Sequence, residues 1–344
     1  MSVNTILKKL CALPGVSGRE DAVRSYILQV LAASPVEMEV TVDRLGSVIA
    51  RLKGREPAPC RVLFAAHMDE VGLMVTGITD EGYLRFVPVG GIDSRVLFAR
   101  RVRVNGHIGV IGGKAVHQCT EKEKETPPDA GRLLIDLGCD SREAAEKMAA
   151  PGDVAVFDSG YEKMQGGLFQ ARALDDRAGC ALLLSLAGDP PPYDVTLAFT
   201  VQEEVGLRGA GAVAFAVEPE FAVVVDATTA ADTAGVPADR QVCRQGKGPV
   251  LSFMDRHALY DRPLYDWIAG LAAEEKLPVQ PKTAVAGGND AGAIQRTKSG
   301  CRVAAVSLPC RYLHTPSCAL RKEDLRDTLA LLRLLRDRLP AAGI

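Results

Sequence analysis

Residues 195–209, VTLAFTVQEEVGLRG, set an apolar, β-branched run against two adjacent glutamates, Glu203 and Glu204. The run predicts a buried strand, and helical spacing follows it over 205–216. The same texture recurs. CRVLFAAH (60–67) is continuously apolar up to its histidine, as a strand covered on both faces must be, and FAVVVD (221–226), VQPKTAV (279–285) and RVAAVSL (302–308) are similar. Helical spacing also covers 176–188, 260–276 and 322–337. Strands that alternate with helices predict an α/β fold, a doubly wound mixed sheet with helices on both faces.

The chain reaches this pattern through helices at 4–12 and 19–34 and an alternating stretch, EMEVTVDRLGSVIARL, broken near Gly46. After Gly72 the texture changes. Residues 73–91 and 100–117 are short strands punctuated by Glu81-Gly82 and Asn105-Gly106, two hairpin signals. A polar loop (120–131) and a short helix near 141–150 follow. The expectation is a small β domain, residues 71–168, inserted into an α/β catalytic domain made of 1–70 and 169–344.

Composition excludes several functions. The chain has 344 residues, 47% of them hydrophobic and 24% charged, and a formal net charge of −2. No basic stripe is present, so no nucleic-acid partner is expected. The most uniform apolar stretch, 178–188, is far short of the ~20 residues that span a bilayer. The first residues hold Lys8 and Lys9 and no continuous apolar segment. No membrane partner is expected, and a cytoplasmic location is. Nine cysteines, without a C-x-x-C pair, fit reduced thiols. Cys119, two residues after His117, reads as a buried small side chain rather than a metal ligand.

In open α/β sheets, ligands gather at the carboxyl ends of strands. His67 and Asp69 stand at the end of one strand, Glu203 and Glu204 of a second and Asp226 of a third. His314 follows a fourth, and Asp175 and Asp176 open a helix. Singly, each has an ordinary explanation, such as an N-cap, a solvated edge or a turn. Together, six carboxylates (Asp69, Asp175, Asp176, Glu203, Glu204, Asp226) would repel one another unless cations were bound. Two histidines among them favour zinc, cobalt or manganese over calcium. Two divalent metal ions are expected. Neighbouring side chains on a strand point to opposite faces, so the glutamates share a site only if the strand has ended and turned, for which Gly206 and Gly209 supply freedom. One glutamate then binds metal and the other serves as general base.

At AAHMDEVGLMV, ALDDRAGC, VQEEVGLRGA, VVVDATTAAD, GGNDAGAI and LPCRYLHTP the chain resembles the dinuclear tetrahedral aminopeptidases, related to the glutamyl aminopeptidases and sometimes labelled endoglucanases. The resemblance implies that His67 and Asp226 bind the first metal, Glu204 and His314 the second, and that Asp175 bridges both before an unusual peptide bond to Asp176. It gives Asp69 the orientation of His67 and Glu203 the role of base. The separation of 108 in sequence between His67 and Asp175 leaves room for that family's inserted PDZ-like or barrel-like domain, which takes part in homo-oligomers from dimers to tetrahedral dodecamers. The implied function is metal-dependent removal of N-terminal residues from short peptides. The alternative is a metal-dependent deacylase or amidohydrolase acting on N-acyl amino acids or small amides. Ser47, Asn289 and Cys318 depart from the family's usual residues and bear on substrate preference and assembly.

Overall fold

The computed structural model describes residues 1–344. The chain begins with helices α1 (Val3–Ala12) and α2 (Asp21–Ala32), then the hairpin β1 (Met38–Val42) and β2 (Val48–Leu52). The tight turn between these strands is held by Asp43 Oδ1, which accepts the backbone N–H groups of Leu45, Gly46 and Ser47. Strand β3 (Val62–His67) is buried along its whole length, as its unbroken apolar run requires.

The chain then builds a closed antiparallel barrel. Its strands are β4 (Gly72–Ile78), β5 (Leu84–Val89), β6 (Arg101–Val104), β7 (His107–Gly112), β8 (Leu134–Asp136) and β9 (Val154–Phe157), closed because β9 pairs with both β4 and β6. Both hairpin signals connect paired strands, β4 to β5 and β6 to β7. Side chains alternate along β6, with Val102 and Val104 inside and Arg101 and Arg103 outside. The barrel has its own core, including Leu73, Phe86, Ile111, Ile135 and Phe157. Two helical turns decorate it, α3 (Glu121–Glu125) and α4 (Arg142–Glu146).

The α/β pattern resumes after a short pair, β10 (Glu162–Lys163) and β11 (Leu168–Ala171). In order come α5 (Leu174–Leu186), β12 (Val195–Thr200), α6 (Arg208–Val217), β13 (Phe221–Thr229), β14 (Val250–Leu251), α7 (Arg262–Glu274), β15 (Gln280–Pro281), α8 (Ala291–Ile294), β16 (Arg302–Cys310), β17 (Cys318–Arg321) and α9 (Lys322–Arg338). The main sheet has the order β1-β2-β12-β3-β13-β16-β14-β15, with β12, β3, β13 and β16 parallel. Alternation splits its core between two faces. Phe64, Ala66, Val223 and Val306 pack with Leu7, Leu182 and Leu331, whereas Leu63, Ala65, Val224 and Ala305 pack with Val213 and Ile294. Helices thus cover both faces, the doubly wound arrangement that the sequence predicts. No helix is long and apolar enough to cross a membrane.

Four local expectations are corrected. The expected strand 279–285 shrinks to Gln280–Pro281, since proline at a sheet edge offers no N–H to extend the ladder. The loop 120–131 contains α3, closed by a reciprocal capping box between Thr120 and Glu123. The helix near 141–150 is confined to α4. Cys119 is half-buried rather than buried, just after a short 3-10 turn.

Candidate metal centre

The parallel strands deliver His67, Thr200, Asp226 and Ser307 to one edge. Thr200 is the register partner of His67, and Asp226 of Ser307. Because Val224 pairs with Ala65, the register carries Asp226 to the level of His67 two residues on. His67 Nε2 lies 3.8 Å from Asp226 Oδ1 and 3.1 Å from Asp175 Oδ1. Its other nitrogen, Nδ1, faces Asp69 Oδ1 at 3.3 Å, an approach that favours the ring proton on Nδ1 and leaves the Nε2 lone pair free to bind a metal.

Asp175 opens α5, in a segment of non-helical backbone that contains a cis peptide bond to Asp176. While Oδ1 faces His67, Oδ2 lies 3.4 Å from His314 Nε2. His314 stands 3.3 Å from Glu204 Oε2, and its Nδ1 donates to the carbonyl of Gly91 at 2.8 Å, in the segment that follows β5. Both histidines therefore offer Nε2 to the same carboxylate from opposite sides.

The adjacent glutamates share the site because β12 stops at Thr200 and the backbone reverses. Gln202 and Leu207 have positive φ, and Gly206, at φ +117°, sits where an L side chain would be strained. Gly209 does something different from the expected loosening. A Cβ there would meet the Val201 carbonyl oxygen at 2.6 Å, so glycine lets the start of α6 close onto the strand end. Asp69 fixes the turn by accepting the N–H groups of Glu203 at 3.0 Å and Glu204 at 3.2 Å, while Ser17 Oγ donates to it at 2.6 Å.

Three groups of side chains each hold their donor atoms within 4.8 Å of one another: His67 with Asp175 and Asp226, Asp175 with Glu204 and His314, and His67 with Glu203 and Glu204. Asp176 stays apart from them. It caps its own helix, its Oδ1 accepting the Gly179 N–H at 2.9 Å.

Electrostatics show how ill-suited the cluster is to being free of cations. Burial pushes Glu204 up to about 7, with Asp175 adding to the effect. Burial likewise raises Asp226 well above the ordinary carboxylate range, helped by Asp175, and raises Glu203, helped by Asp290 and Glu204. For His314, burial opposes the charge, but Asp175 and Glu204 outweigh it and carry the pKa up to about 10. Glu204 Oε1 is buried without a hydrogen-bond partner. Nitrogen and oxygen donors converging at this spacing, with an orphaned carboxylate oxygen among them, fit divalent cations.

A cleft of about 650 Å³ opens onto these residues. Of the three atypical positions, Asn289 lines it, Ser47 is buried beneath Gly209, and Cys318 is buried beside the cluster, in a small cavity it shares with Asp175, Glu204 and His314. Asp290, a further buried carboxylate, accepts a hydrogen bond at Oδ2 from Thr200 Oγ1 at 2.5 Å. Asp290 follows a glycine run rather than a strand, so no periodicity announces it.

A family model for the M42 glutamyl aminopeptidases matches residues 46–331. The chain belongs to the M42 glutamyl aminopeptidase family. It is 36% identical to a putative aminopeptidase of Acetivibrio thermocellus, with 95% of this chain and 96% of the relative covered. It is 33% identical to the lysyl aminopeptidase of Pyrococcus furiosus, over 97% and 96% of the two chains. The structure of the Pyrococcus horikoshii TET1 peptidase, which assembles into a tetrahedron or a large octahedral shell, superimposes with TM-score 0.85 at 35% identity, covering 98% of this chain and 99% of that one. As an M42 member the chain is a hydrolase of the aminopeptidase class, and the convergent histidines and carboxylates suit the metal dependence of that family.

Proposed function

We propose that this protein removes N-terminal residues from short peptides with two divalent metal ions. His67, Asp175 and Asp226 would hold the first and Asp175, Glu204 and His314 the second. The observation that carries this reading is Asp175, whose two carboxylate oxygens face His67 and His314 separately, at 3.1 and 3.4 Å. Zinc, cobalt and manganese all suit this donor set.

When bound, the ions supply Lewis acidity that polarises the scissile carbonyl and makes water a better nucleophile. The chain's own residues do the rest. Glu203, next to a ligand and outside both ligand triads, takes the proton from the attacking water and returns it to the leaving amine. Its place beside Glu204 and within the cluster of His67 and Glu204 puts a carboxylate next to the ligands, where a general base is needed. Asp69 holds His67 in its ligand tautomer and fixes the Glu203–Glu204 turn.

The inserted segment 71–168 would serve homo-oligomer assembly and substrate access. In support, it exposes Phe98, Ile108, Val110 and Val116, and the Gly91 carbonyl meets the His314 ring. Nine free thiols fit a reducing, cytoplasmic setting.

The test is hydrolysis of aminoacyl-p-nitroanilides after chelation and after return of zinc, cobalt or manganese, beside N-acetylated counterparts. Metal-restored release from free-amine substrates alone is the expected result. Release only from the acetylated set would overturn the reading.

A further inference from the structure

The two proposed ligand sets are held by different parts of the fold. His67 ends β3 and Asp226 lies in the neighbouring strand β13, so the sheet sets their spacing. The His67 side chain is 3% exposed, and its Nδ1 faces the Asp69 carboxylate. Glu204 and His314 instead stand on loops, after β12 and after β16, and His314 has a positive φ of 56°. Its side chain is 34% exposed. A side chain on a loop is held less precisely than one on a strand unless a neighbour fixes it.

For this pair the neighbour is the barrel. Gly90 and Gly91 follow β5, whose last residue, Val89, pairs with Gly72 at the start of β4. The Gly91 carbonyl accepts the hydrogen bond from His314 Nδ1 at 2.8 Å. Gly90, at φ +80°, is where an L side chain would be strained, and a Cβ there would meet Glu204 Cβ at 3.3 Å and Val71 Cγ1 at 2.7 Å. A residue without a side chain therefore lets the segment settle between Glu204 and Val71, where the chain enters the barrel. The residues that follow give it little slack, since Asp93 Oδ1 accepts the Arg95 N–H at 2.9 Å and Leu97 is buried in the barrel core. Two successive residues of the inserted barrel thus touch Glu204 and His314, the two ligands that belong to the second set alone.

We propose that Gly90 and Gly91 are positioning residues for the second metal ion, so that its binding, and not that of the first, depends on how the barrel is seated on the α/β domain. The inference rests on the two-metal reading above. The Gly91 carbonyl keeps the proton on Nδ1 of His314 and so keeps the Nε2 lone pair turned toward Asp175 and Glu204. A shift of the segment takes that acceptor away and presses on Glu204 at the same time. His67 is insulated from such a shift, because its own orienting group, Asp69, lies at the end of β3 and not in the barrel. The second ion is then the one that exchanges when the barrel moves.

The experiment titrates the metal-free full-length protein with cobalt, followed by calorimetry and by visible absorption, for the wild type, Gly90→Ala and Gly82→Ala. His314→Ala identifies which of the two binding steps belongs to the second set. Gly82 is the matched control: it lies in the β4–β5 turn of the same barrel at φ +88°, and a Cβ there would meet the Ser141 carbonyl oxygen at 2.8 Å, so alanine strains the barrel without touching the metal site. Gly90→Ala is expected to weaken the second step by about 10- to 100-fold, with loss of its share of the cobalt absorption, and to leave the first step unchanged. Gly82→Ala is expected to keep both steps. If Gly90→Ala alone does not yield folded protein, Gly90→Ala combined with Val71→Ala, which removes the nearest clashing atom, replaces it with the same expected result. Both steps kept in the Gly90 variant, both weakened equally, or the second step weakened as much by Gly82→Ala would each overturn the inference and leave the two-metal reading standing. Fewer than two cobalt equivalents in the wild type would overturn the two-metal reading itself, and this inference with it.

Discussion

Asp69 accepts a hydrogen bond from the backbone N–H of Glu203 at 3.0 Å, and the same carboxylate faces Nδ1 of His67 at 3.3 Å. One buried side chain thus sets the tautomer of a proposed metal ligand and the position of the proposed base. Asp69→Asn keeps the shape but removes the charge that favours an Nδ1–H imidazole. Metal affinity is expected to fall about 10- to 100-fold, as for other residues that orient a ligating histidine. Titration calorimetry with zinc or cobalt measures this. Unchanged affinity would mean that His67 does not depend on Asp69 for its orientation.

Glu203→Gln separates holding metal from moving a proton. Glutamine fills the same space and cannot act as a base at neutral pH, so kcat should drop by about 10²- to 10⁴-fold. Glu203 belongs to neither of the two proposed ligand sets, although it also clusters with His67 and Glu204, and metal content measured by elemental analysis should stay at the wild-type ratio. Loss of one metal equivalent would make Glu203 a ligand instead.

Much of this site was legible because chemistry stands where apolar runs stop. His67 ends β3 and the glutamate pair follows β12, whereas Asp226 ends its apolar run but lies inside β13, which continues to Thr229; these runs became three of the four parallel strands. Pairing between distant segments was not legible. The β14–β16 contact and the β10-β11-β17 sheet use strands of two to four residues on at least one side, too short to show a period. Helix α3 was legible in principle, since Thr120 and Glu123 stand at capping-box spacing, but the density of charge around them suggests a loop. Asp290 follows a loop, and only the folded chain shows that it is buried next to Asn289, which lines the cleft.

Glu70 carries a different burden from its neighbours. It is 3% exposed and binds two buried cations, Arg172 and Arg177, the latter at 3.3 Å, while its Oε1 accepts the Gly15 N–H at 3.1 Å. This network ties the start of the chain to α5 and the segment before it. Glu70→Gln leaves two guanidinium groups with no buried counter-charge, and should cost about 3–5 kcal/mol. Breaking the exposed pair Arg262–Asp266 should cost less than about 1 kcal/mol. Denaturant midpoints of the two variants give the comparison, and similar losses for both would show that the Glu70 network contributes little.

Asp324, at the start of α9, accepts the backbone N–H groups of Gly246 at 2.7 Å and Gly248 at 2.9 Å, fixing the segment that leads into β14. Burial nevertheless dominates and raises its pKa from 3.8 to about 6. The native state therefore holds this proton more tightly than the unfolded chain does. Its stabilising contribution is complete below about pH 4 and is lost as pH rises through about 6. Asparagine does not titrate, so Asp324→Asn should lose this dependence. The melting temperature of the wild type minus that of the variant is expected to decrease between pH 4 and pH 7.5. If the difference is constant over that range, Asp324 titrates alike in the folded and unfolded chain, and the two glycine N–H groups offset the whole cost of burying its charge.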